Sequence, residues 1–403
     1  MHIRSQLLKL YLFQLISAFR VTDAIWVFLL IQRGFSLAQV GIAEGVFHLV
    51  SFLCEVPSGM FADLLGRKRT LVCSGIMITA GCAFMLGIDN FTGVLLSMIV
   101  NALSYNLMSG TEQALTYDSL LIVNQADRYI SVSSRQNVIY RVIFAISGLS
   151  SLWAVAVGWQ ACYLLSAALG MASSIVASVM TEPLVTEAQK NRSREPLSQL
   201  PHRLAVHFKQ SFSFLWKNPR AACIMLSTAG VSTANYITLM LLQDYLPAIG
   251  LPAGAIGIPL LLIDLIGSAG VALAPRAARK HSCFVLAMIC AVCAGAGTLC
   301  AAIGLIPLSI AGTAFAALFD GMLDTVSETA LNDTFPSDQR ATLVSVVSML
   351  YSLLMIAASP LSGAVSTAAG TPAAAIGLMG ALLLVCAPLG GMLYRKRAKK
   401  RVL

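Results

Sequence analysis

The sequence predicts an all-α integral membrane protein with twelve transmembrane helices in two pseudo-symmetric six-helix bundles, and three observations predict it. The 403-residue chain is 57% hydrophobic and only 11% charged, with a mean hydropathy of +0.79; soluble domains carry about 25% charged residues. Twelve runs reach the ~20 mostly apolar residues that a helix needs to cross a bilayer. They lie at 7–31, 38–61, 70–88, 91–115, 137–158, 160–180, 221–243, 254–274, 283–303, 308–330, 341–366 and 373–394. A hydrophilic stretch at 181–220 leaves six runs on either side. The expected organisation is a first bundle at 1–180, a cytoplasmic linker at 181–220, and a second bundle with a basic tail at 221–403.

Taken in order, the elements differ in what they carry. Residues 1–9 are short and basic and lead into a run of full membrane length, not the short apolar core of a cleavable signal. The first run holds Arg20 and Asp23 near its middle, three residues apart and therefore on one helical face. The second holds Glu44 in its outer third, His48 near the middle and Glu55 in its inner third. Residues 56–70, VPSGMFADLLGRKRT, form a short basic turn into the third run. The fourth contributes Asn101, Tyr105 and Asn106, and the seventh Asn235, Tyr236 and Gln243, as polar points that line a cavity or join helices. The linker places Leu200, Leu204, Phe208, Phe212 and Leu215 at helical spacing beside Arg203, His207 and Lys209, the pattern of an amphipathic helix lying on a membrane surface. Asp264 is central in the eighth run, and Asp320 is central in the tenth with Asp324 one turn further inward.

Charge sets the orientation. With the N-terminus in the cytoplasm, 24 of the 27 Lys and Arg residues fall on the inner side, Arg33 alone on the outer, and Arg20 and Arg141 within spans. Both termini are therefore expected inside. This distribution also accounts for the net charge of +9 without nucleic acid. The cysteines sit almost all in apolar runs and read as small buried hydrophobes. Cys290 and Cys293 form a CxxC, but it lies in mid-run with no His or acid nearby to complete a metal or redox site. Walker A, HExxH and glycine-rich nucleotide loops are missing. Neither an enzyme, a cofactor nor a metal is expected.

Within the basic turn, Gly59, Asp63, Gly66, Arg67 and Lys68 stand at the spacing G-x-x-x-D-x-x-G-R-K, between the second and third apolar runs. This resembles the signature that the major facilitator superfamily carries at that place, and the resemblance covers essentially the whole chain. EQAL at 112–115 and ETAL at 328–331 close the fourth and tenth runs alike, as expected of two related halves. The resemblance implies a 6+6 bundle that works by alternating access, with substrate bound between the halves near the bilayer midplane. It also implies that the turn gates the inner face. Here Asp63 is expected to cap the amides of the following helix and pair with Arg67, while Gly59 and Gly66 permit close helix approach. Two elements of a drug-antiporter group within the superfamily are missing. Its central Arg in the fourth span falls on Asn106, counting back from Gly110. Its Gly-Pro-rich element in the fifth span is replaced by Ile-Ser-Gly-Leu-Ser-Ser at 146–151.

Ionisable groups inside a span are costly unless they meet a partner or water, so each is a candidate for function. Arg20 and Asp23 read either as a self-neutralising pair that locks packing or as a site where the cation holds a substrate anion or tunes the acid. Asp264, Asp320 and Asp324 have no deep cation in the second half, which suits acids that exchange protons or meet a cationic substrate. His48 titrates in the working range or serves as a packing residue, and Glu44 is shallow enough to reach outer water. Arg20, Asp23, Glu44, His48, Asn106, Asp264, Asp320 and Asp324 are thus the expected substrate and proton-coupling residues. Proton-coupled efflux of small amphipathic or cationic compounds is the expected function, since an apolar cavity with acids in both halves suits lipophilic cations better than sugars. The alternatives are proton-driven uptake of a nutrient or organic anion, a lipid flippase, and a non-transporting receptor. The expected partners are a small-molecule substrate, protons and the lipid bilayer. A monomer is expected, in the plasma membrane and specifically a bacterial inner membrane.

Overall fold

The computed structural model describes residues 2–184, 200–334 and 340–399, and these are helical with no strand among them. Nine helices among the described residues are long and apolar enough to cross a membrane. The other three predicted runs fall short for separate reasons. The first is broken, the fifth is too polar, and the twelfth is described as a shorter apolar helix at Pro372–Ala387.

The break in the first run is the largest departure from the expected pattern. α1 (Ile3–Ala18) stops, Phe19 and Arg20 leave helical geometry, α2 (Val21–Ala24) makes one turn, and α3 (Trp26–Gln32) resumes after a second break at Ile25. In an unbroken helix the Ser17 carbonyl would accept the Val21 amide. Here the Arg20 Nε takes that carbonyl at 2.9 Å, and the Ala18 carbonyl accepts the Arg20 amide at 2.9 Å. Likewise Phe28, whose amide would bond to Ala24, donates instead to Gln243 Oε1 at 3.2 Å. Side chains therefore satisfy backbone groups that the bilayer could not.

α4 (Leu37–Leu65) is one continuous 29-residue helix despite Pro57. It turns into α5 (Arg67–Gly87) through Gly66, whose φ of 91° only glycine adopts without strain. The fourth run is split: α6 (Phe91–Met108) ends before Gly110, and α7 (Thr111–Ile122) follows. α8 (Tyr129–Gly148) carries Arg135, Gln136 and Arg141. α9 (Ser151–Ser178) contains the junction of the fifth and sixth runs as a single non-helical residue, Gly158, at φ 82°. Beyond the linker come α10 (Leu200–Lys217), α11 (Pro219–Ala248), α12 (Gly257–Ala278), α13 (Cys283–Ala301), α14 (Ile306–Thr334), α15 (Arg340–Ala369) and α16 (Pro372–Lys399).

The helices form two compact units: Met1–Trp26 with Val46–His207, and Val27–Gly45 with Phe208–Leu403. In the first, Leu7, Leu10, Phe13, Leu71, Leu115 and Leu120 build a common core. In the second, Val231, Leu286, Cys290, Leu323 and Val326 do so. Cys290 of the CxxC is a fully buried free thiol in that core. Close packing there depends on small residues, as in membrane helix pairs generally. A Cβ on Gly270 of α12 would collide with the Leu318 carbonyl oxygen of α14. A Cβ on Gly41 would collide with the Ser359 carbonyl oxygen.

Candidate functional site

In the first unit the ends of α1 and α6 meet at Arg20. Its Nη1 donates to Asp23 Oδ2 at 2.9 Å, its Nε to the Ser17 carbonyl, and its Nη2 lies 3.7 Å from Met108 Sδ, at the end of α6. The guanidinium thus joins the ion pair to the broken ends of two helices, a fork geometry that a single ammonium does not provide. Its side chain is 19% exposed and that of Asp23 43%, so the acid is the more open partner. Beside them Thr22 Oγ1 bonds Ser166 Oγ at 3.2 Å. A cavity of about 20 Å³ opens there, lined by Ser17, Arg20, Asp23, Asn101 and Ser166 among others. That is room for about one water, with polar partners to hold it.

In the second unit Asp320 of α14 faces α11. Ser232 Oγ donates to its Oδ1 at 2.7 Å and Asn235 Nδ2 to its Oδ2 at 2.9 Å. Asn235 Oδ1 is buried with no hydrogen-bond partner among the described residues. Asp320 is partly buried, whereas Asp324, one turn along, is exposed, as is Asp264 on α12. Asn235 is visible in the sequence as a polar point; Ser232 is not, because serine is common in membrane helices and only the fold aims this one at the carboxylate.

The remaining candidates are placed elsewhere. Glu44 is buried at 4% exposure and is not open to water as expected, and His48 is buried at 7%. Asn106 is spent on packing: its Nδ2 and Oδ1 bond the Ser51 carbonyl and hydroxyl, both at 3.2 Å, tying α6 to α4. No group of three or more His, Cys, Asp or Glu residues able to hold a metal exists among the described residues.

Around the basic turn the described contacts come from outside the motif. Glu182, just after α9, caps the start of α5: its Oε1 accepts the Arg67 amide at 2.8 Å and its Oε2 the Lys68 amide at 2.6 Å. A carboxylate at a helix N-terminus meets both free amides and the positive end of the dipole. Arg67 pairs with Asp118 of α7 and also donates to the Ala114 carbonyl. The Asp63 side chain lies outside the described residues. Lys68 is held here through its backbone amide. A Cβ on Gly59 would meet nothing within 4 Å, so this glycine makes no close helix approach in the described structure, whereas Gly66 is required by its φ. Glu112 accepts a hydrogen bond from the Gln136 amide at 2.8 Å.

Comparison with known proteins agrees with this architecture. A protein from Bacillus subtilis (strain 168), described as the uncharacterized MFS-type transporter YxaM, is 24% identical over 359 residues, covering 88% of each chain. Among solved structures, a mutant of the nucleoside transporter NupG superposes with a TM-score of 0.77 at 12% identity, over 98% of this chain and 99% of that one. A D-xylose-proton symporter does so with a TM-score of 0.72 at 11% identity, over 97% of both chains. These two likenesses establish the fold. The sequence model of the Major Facilitator Superfamily matches residues 11–312 and 284–403. The chain is therefore an integral membrane transporter of small molecules rather than an enzyme, and it belongs to the Major Facilitator Superfamily.

Proposed function

We propose that this protein is a proton-coupled secondary transporter that exports small amphipathic or cationic compounds by alternating access. In this reading twelve spans form two six-helix halves, 1–180 and 221–403, joined by the linker at 181–220. Both termini lie in the cytoplasm, and the protein works as a monomer in a plasma membrane, specifically a bacterial inner membrane.

The observation that carries the proton coupling in this reading is the hydrogen-bonding of Asp320. Ionised, it accepts from Ser232 and Asn235. Protonated, its new O–H needs an acceptor, and both neighbours supply one. A hydroxyl accepts as well as donates, and the Asn235 amide carries a buried oxygen with no partner among the described residues. The same three side chains therefore satisfy both protonation states, which a carboxylate paired to a fixed cation does not allow. Asp23, held by Arg20, is the contrasting acid, whose charge is tied to its partner.

A second reading is proton-driven uptake of a nutrient or an organic anion. The Arg20 guanidinium favours it, and so does the hydroxyl and amide lining around Asp320, which suits a hydrogen-bonding substrate. The fold is shared with a nucleoside transporter and a D-xylose-proton symporter.

Everted vesicles energised by respiration, with a dye reporting internal pH, separate the two. Cationic and neutral amphipaths are expected to dissipate the gradient only when the protein is present, and Asp320→Asn is expected to abolish that response while Asp264→Asn retains it. Proton entry into right-side-out vesicles driven by an external sugar, nucleoside or organic anion, with no response to amphipaths, establishes uptake instead.

A further inference from the structure

The linker helix has two faces with different fates. Phe214 and Leu215 of α10 pack against Ala221, Met225, Leu331 and Val346, which fixes one side of the helix to its own unit. At about 100° per residue, Lys209, Phe212 and Trp216 fall together on the opposite side. All three are exposed, Phe212 at 60% and Trp216 at 91%. Lys217, also exposed, borders this face. α10 ends one residue before α11, a helix long and apolar enough to cross a membrane, so Trp216 stands beside the start of that candidate span.

Only one medium suits such a face. In water, two large aromatic rings would be left uncovered; in hydrocarbon, two ammonium groups would be stranded. The headgroup layer accepts both, because indole prefers the interface and lysine reaches phosphate. Charge selects the lipid: residues 200–220 contain four Lys or Arg and no Asp or Glu, and anionic headgroups attract such clusters.

We propose that this face of α10 is a binding surface for anionic phospholipid in the adjoining leaflet, with Trp216 as its depth anchor and Lys209 and Lys217 as its phosphate contacts. The proposal rests on the membrane reading of the chain and not on coupling or direction.

The full-length protein in phosphatidylcholine nanodiscs provides the test. Brominated lipid is introduced either as an anionic phosphatidylglycerol or as the zwitterionic lipid, at one mole fraction. Subtracting the signal of Trp216→Phe isolates this one indole from the other three tryptophans. The brominated anionic lipid is expected to quench Trp216 about twofold more than the zwitterionic one, and about 0.5 M salt is expected to erase the excess. Lys209→Gln combined with Lys217→Gln is expected to erase it equally. Equal quenching by the two lipids overturns the proposal. So does quenching by aqueous iodide with none by either lipid, which would leave the face to water or to a protein partner.

Discussion

At the level of single residues, the arginine in the first span behaves as a structural fork as much as a charge. Arg20 simultaneously serves the Ser17 carbonyl, released by the helix break, and the Asp23 carboxylate. Lysine keeps the charge but offers one compact ammonium in place of a planar fork. Arg20→Lys is therefore expected to lower the melting temperature of the purified protein nearly as far as Arg20→Gln does. A lysine variant that melts like the parent would show that charge alone matters there. Glu182 is the second residue whose part is set by geometry. As the shared acceptor for the Arg67 and Lys68 amides, its replacement by alanine is expected to cost about 1 kcal/mol of stability, the usual worth of an N-terminal cap, read from denaturation in detergent. Arg20, Asp23 and Asp320 are legible in the sequence because an ionisable group deep in an apolar run stands out by itself. Glu182 and Ser232 are not, because their importance lies in what they touch across more than eighty residues of chain.

Among the helices, the glycines of the motif separate into two kinds. Gly66 turns the chain at φ 91°, so Gly66→Ala is expected to destabilise by about 1–2 kcal/mol. Gly59 meets no neighbour among the described residues, so Gly59→Ala is expected to leave the melting temperature unchanged. If transport by Gly59→Ala nevertheless falls, the glycine is needed in a conformation other than this one, as a gating role requires. Gly270 supplies the upper end of the scale. A methyl group there collides with the Leu318 carbonyl, and overpacking of this kind costs about 1–3 kcal/mol; the same thermal measurement checks it against Gly59→Ala. Hydropathy located these helices but missed the breaks at Phe19–Arg20 and Ser109–Gly110, since a window sums composition and is blind to one side chain competing for a carbonyl.

For the whole molecule, the proposed orientation makes a topological prediction. A cysteine introduced at Asn90 is expected to gain labelling by a membrane-impermeant maleimide in intact cells, and one at Arg128 only after permeabilisation. The reverse pattern inverts the topology and removes the basis for the proposed direction of transport. The sequence by itself determined that the chain lives in a membrane and that its family signature lies between the second and third runs. These are properties of composition, length and order, which a bilayer reads directly: apolar runs partition, and cations stay on one side. Tertiary structure alone decided which partner each polar group meets. Asn106 is consumed by Ser51, Arg67 is claimed by Asp118, and Asp320 keeps neighbours that serve it with or without its proton. The physical reason is that a hydrogen bond inside a membrane is fixed by distance and angle between segments far apart in the chain, and no local pattern encodes either.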